Sequence, residues 1–131
     1  MKTSHRNTGS VLLVIVLLVA LLTATVVGHL QINTEEIQLM QNHVGGVEAL
    51  ATAEAGLNDA MARLRLDRGW HDGFAGKPFN GGAYTVVIDG STIQSAAVTS
   101  NGFTATMKAK VTVASDGPPY VVRIDSLRIN E

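Results

Sequence analysis

The chain has 131 residues, with ten basic and eleven acidic side chains for a net charge of −1, and it has no cysteine. That length, with one long apolar run inside it, leaves room for one small domain. Dispersed basic residues and only three Phe, two Tyr and one Trp exclude a nucleic-acid surface. The lack of cysteine excludes a disulfide staple, a thiol ligand and a thiol nucleophile.

Residues 1–9 are polar and carry Lys2, His5 and Arg6; without them eight basic and eleven acidic residues remain, a charge of −3. Residues 11–22 are uninterruptedly apolar, and 23–28 prolong the run without adding charge. About 18 residues of helix rise roughly 27 Å, close to the hydrocarbon thickness of a bilayer. The run is therefore read as a transmembrane helix over 10–28, with Ser10 as its cap. Positive charge ahead of it favours a cytoplasmic amino terminus. A cleavable secretory signal would begin in the same way, but a helical pattern follows here in place of a small-x-small cleavage site.

Residues 29–68 are expected to continue as an amphipathic helix. His29 reads as interfacial. Leu30, Ile32, Ile37, Leu39, Met40, Val44 and Val47 recur among polar residues at roughly helical spacing. Gly45-Gly46 predicts a local kink or melted turn, since the pair costs on the order of 2 kcal/mol in a helix interior. Beyond it Leu50, Ala53, Leu57, Ala60, Met61 and Leu64 form one apolar face, with small residues at Ala49, Ala51, Ala55, Gly56 and Ala62. Asp59 and Arg63 are spaced as a surface ion pair. The helix should end near Asp67-Arg68, before Gly69.

Residues 69–82 read as a glycine-rich connector whose Trp70, Phe74 and Phe79 fold onto the domain. The rest reads as three or four antiparallel strands. One covers 83–88 with a turn at Asp89-Gly90, a weaker one covers 92–99, and Asn101-Gly102 makes a hairpin turn. After it Phe103, Ala105, Met107, Ala109, Val111 and Val113 alternate with threonines and lysines. A last strand covers 120–130. One apolar sheet face requires a cover, and the second half of the helix is available for it, through Leu50, Ala53, Leu57, Met61 and Leu64. The expected class is α+β: a long amino-terminal helix, membrane-spanning in its first half, on a small antiparallel sheet formed within 69–131.

Chemistry is scarce in this pattern. The four histidines, His5, His29, His43 and His71, have no metal-ligand spacing. His71-Asp72 lacks an activated nucleophile. Glu35-Glu36 reads as a solvated helix face. Asp67, Asp72, Asp89 and Asp116 lie near turns but form no calcium-loop pattern. No catalytic residue, cofactor or metal ligand is expected.

Gly9-Ser10 before the apolar run, and Ala53-Glu54-Ala55-Gly56-Leu57 with Ala60 and Leu64, resemble the minor pilins and pseudopilins of type IV pilus and type II secretion systems, in particular the PilX/GspK-like group. The resemblance extends over nearly the whole chain and includes Gly82-Ala83-Tyr84-Thr85-Val86 and the threonine-rich strand. It implies a pilin-like fold and a leader, residues 1–9, cut after Gly9 by a prepilin peptidase to leave a methylated Ser10. It also implies an inner-membrane protein with a periplasmic head, partnered by lipid, by other pilin or pseudopilin subunits and by inner-membrane assembly components. Val14, Leu17, Leu18 and Leu21 would then pack the filament core. Two positions depart from the family pattern: Val14 stands where mature pilins carry glutamate, and Ser10 where Phe or Met is usual. The alternative from the residues alone is an unprocessed single-span anchor carrying a periplasmic binding domain.

Overall fold

The computed structural model describes residues 8–130; residues 1–7, with Lys2, His5 and Arg6, and Glu131 lie outside the described residues. The elements are one helix, α1 (Thr8–Leu66), and five strands, β1 (Phe74–Phe79), β2 (Gly82–Asp89), β3 (Thr92–Val98), β4 (Thr104–Val113) and β5 (Val122–Ile129). The chain divides into two compact units between Gln41 and Asn42, each taken separately below.

In the first unit, α1 is already helical at Thr8 and Gly9, so Ser10 is an interior residue and not the cap. From Val11 to Val27 every large aliphatic side chain is exposed. Two hydroxyls interrupt the aliphatic surface, and both bond back to the helix: Thr23 Oγ1 donates to the Val19 carbonyl at 2.7 Å and Thr25 Oγ1 to the Leu22 carbonyl at 2.8 Å. Bonded in this way, they expose no unpaired donor, which is what a hydrocarbon surrounding requires.

In the second unit, α1 continues through Gly45 and Gly46 without a break, so the turn does not melt there. The reason is tertiary. The Phe103 ring lies where a Cβ on residue 45 would be, so Gly45 permits close approach of the sheet. From there Ala49, Ala53, Leu57, Ala60 and Leu64 recur at three- and four-residue intervals, and all five are buried. The helix ends one residue before the expected Asp67, with its Arg63 carbonyl accepting from Asp67 N and its Arg65 carbonyl from Tyr120 N.

The sheet is a five-stranded antiparallel meander in the order β1-β2-β3-β4-β5. It has one strand more than expected, because residues 74–79 pair with β2 as an irregular edge strand instead of forming a connector. Alternation puts Tyr84 and Val86, Ile93 and Ala97, and Ala105, Met107, Ala109 and Val111 on the face covered by α1. Alanine is frequent in this core, so helix and sheet approach closely. The hairpin at Asn101-Gly102 forms as expected, with Gly102 at φ +82° and Gly102 N donating to the Thr99 carbonyl at 3.0 Å.

A bulge at Asp125 shifts the β4–β5 register, so that Val111 faces Ile124 while Ala109 faces Leu127 and Met107 faces Ile129. Ile124, Leu127 and Ile129 of β5 thereby share the helix-facing side of the sheet with Val122. Asp125 is held by Thr112 Oγ1 at 2.6 Å and Arg123 Nε at 3.0 Å.

Candidate functional site

Two features set the chain apart from an ordinary small domain: an apolar helical surface without a cover, and a polar clamp that fastens the helix to the sheet. The first begins with an 18-residue window of mean hydropathy 3.0, none of it buried, in a helix long and apolar enough to cross a membrane. Val14, Leu17, Leu18 and Leu21 stand in this surface at 52%, 64%, 51% and 61% exposure. Gly9 and Ser10 are exposed on the same helix.

The bare surface does not stop at Gly28. Leu30, Ile37 and Met40 in the first unit, and Val44 and Val47 in the second, are each more than half exposed. Within the first unit Leu30 and Ile37 are seven apart, a spacing that places both on one side of the helix. As expected, 29–66 is helical, and burial against the sheet begins at Gly45. Of the residues assigned to helix–sheet packing, Ala53, Leu57 and Leu64 are buried, and Leu50 and Met61 are half-buried at its flank.

The clamp was not legible in the sequence as such. Asp59 pairs with Lys77 of β1 and accepts from Tyr84 Oη of β2 at 2.7 Å. Arg63, its expected partner, makes no ion pair with it and contributes only through its field. Lys77 Nζ also lies 4.7 Å from the Phe74 ring centre, and Trp70, Phe74 and Tyr84 pack in succession, tilted and then edge-to-face, at 5.1 and 6.1 Å. Burial works against ionisation of Asp59, but the hydrogen bonds from Lys77 and Tyr84 prevail and hold its carboxyl below the usual value. The same bond from Asp59 raises Lys77, while burial first and then Asp59 raise Tyr84. One charge is neutralised by one charge with every partner satisfied, an arrangement suited to fastening and not to proton transfer.

His29, His43 and His71 are exposed and far apart in the chain, and among the described residues no group of three His, Asp or Glu side chains is placed to hold a metal. Compared with known proteins, the chain matches no family model, and neither a curated protein nor a solved structure proved similar to it.

Proposed function

We propose that the chain is a non-enzymatic minor pilin or pseudopilin, a subunit that helps to initiate, cap or assemble a type IV pilus-like or type II secretion filament. The observation that carries this reading is that, within the first unit, bare aliphatic residues continue beyond the apolar segment at Leu30, Ile32, Ile37, Leu39 and Met40. A plain anchor needs apolar surface only across the bilayer, and some 18 residues suffice for that. A contiguous stretch of exposed aliphatic side chains beyond the bilayer marks a surface that packs against another chain. A helix built of Val and Leu dissolves in lipid and can equally pack against its own kind.

On this reading the precursor sits in the bacterial inner membrane with residues 1–9 in the cytoplasm and the sheet-bearing head in the periplasm. A prepilin peptidase removes residues 1–9, Ser10 is methylated, and the helix then joins other pilin or pseudopilin helices. Val14 lacks the carboxylate that family members carry there, which suits a subunit at the end of a filament rather than within its shaft. The intact mass of protein from native membranes tests the proposal. Loss of residues 1–9 with one added methyl group supports it. Retention of the full leader favours the single-span anchor with a periplasmic binding domain.

A further inference from the structure

A cleft of about 330 Å³ opens in the second unit where α1 ends, with Trp70, Ile88, Val111 and Val113 as its apolar wall and Arg68 and His71 among its lining. The size falls at the lower end of small-molecule sites, and the mixture of an apolar wall with a few polar groups is what such sites share. The Arg68 guanidinium has no acid of the fold to serve: among the described residues it makes no ion pair. Asp67, its neighbour in sequence, is turned onto Gly69 N–H at 2.9 Å. His71 donates from Nδ1 to the Gly69 carbonyl at 2.9 Å, so its Nε2 is left to bond outward and donates when the ring is protonated.

The end of the helix does not oppose an anion here as strongly as an open carboxyl end would, because Asp67 N and Tyr120 N occupy the Arg63 and Arg65 carbonyls. A guanidinium without an intrachain acid matches a carboxylate with two parallel hydrogen bonds. The indole and aliphatic wall match an apolar body of about one ring. We propose that this cleft binds a carboxylate carried on a small apolar body, with Arg68 holding the carboxylate and Trp70 contacting the body. The proposal is independent of filament assembly.

Trp70 is the single tryptophan of the chain, so its fluorescence reports on the cleft directly. The full chain in detergent micelles is titrated with phenylacetate, with phenethylamine and phenethyl alcohol as charge-reversed and neutral controls. The expected result is a saturable change in emission with phenylacetate that neither control reproduces, weakened about tenfold in Arg68→Gln through loss of a charge-assisted bond. Arg68 is exposed, so Arg68→Gln should keep the far-ultraviolet circular dichroism of the parent. A parallel titration with N-acetyl-glycyl-phenylalanine and its amide separates two sources of the same chemistry. Tighter binding of the peptide acid assigns the carboxylate to a polypeptide end, tighter binding of phenylacetate to a free acid, and either supports the site. No saturable change, an equal response to the amine or alcohol, or undiminished binding in folded Arg68→Gln overturns it.

Discussion

Three glycines in the same helix have three different reasons to be there, and the difference can be measured. A Cβ on residue 56 would meet the Ser95 hydroxyl and lie 2.8 Å from a Tyr84 ring carbon; one on residue 45 would enter the Phe103 ring; one on residue 46 meets nothing within 4 Å. Gly46→Ala should therefore stabilise the head by about 0.5–1 kcal/mol, the ordinary helix preference for alanine. Gly56→Ala gains the same preference but overpacks the helix–sheet contact, a cost of about 1–3 kcal/mol, so it should destabilise. Denaturant midpoints of the two variants should move in opposite directions. A second residue-scale consequence concerns Asp59. Although burial opposes it, the hydrogen bonds from Lys77 and Tyr84 hold its folded carboxyl below the ordinary aspartate value, so it binds protons less readily than in the unfolded chain. Its contribution is then fully present well above pH 4 and is lost as pH falls through the depressed value. The stability advantage of the parent over Asp59→Asn should accordingly be constant near neutrality and shrink on acidification below about pH 4. Thermal melts of both proteins between pH 7 and the acid limb check the sign.

Among the elements, opposite faces of the last turns of α1 behave differently. Leu64 is 4% exposed within the core, whereas Leu66, two residues on, is 69% exposed. Leu64→Ala should cost about 2–5 kcal/mol of head stability, and Leu66→Ala about 0.5 kcal/mol or less, as read from urea unfolding. The sheet has its own asymmetry. The Asp125 bulge turns Ile124, Leu127 and Ile129 to the covered side, yet they remain 42%, 46% and 47% exposed. The register was not legible in the sequence, because unbroken alternation from Val122 would have placed Ile124 on one side and Leu127 and Ile129 on the other. The opposite case is β4, where Ala105, Met107, Ala109 and Val111 alternate strictly and the burial follows suit. β1 escaped the sequence reading for a local reason: Gly76, Lys77 and Pro78 are poor strand formers, and only pairing with β2 makes residues 74–79 extended.

For the molecule as a whole, the filament reading separates two groups of apolar residues by their consequences. Leu17→Arg places a charge within the lipid-length run at a cost of about 2.5–3.5 kcal/mol, and membrane fractionation should show less integrated protein. Ile37→Ser with Met40→Ser removes bare side chains outside that run; integration and head stability should stay at parental levels while incorporation into sheared filaments falls. Unchanged incorporation would leave those side chains without a role in assembly.

What the sequence determined by itself was everything governed by periodicity and composition: the lipid-length run, the helical face from Leu50 to Leu64, the alternation in β4 and the α+β class. These follow from spacing along the chain, which needs no knowledge of neighbours. What only the tertiary structure decided were relations between distant residues. Gly45 continues the helix because Phe103 fills the space beside it, Asp59 turns to Lys77 and Tyr84 instead of Arg63, β1 exists because β2 pairs with it, and Arg68 faces a cleft walled by Trp70, Ile88 and Val111. Each depends on a contact closed by folding, whose free energy outweighs the local preference that would otherwise have prevailed.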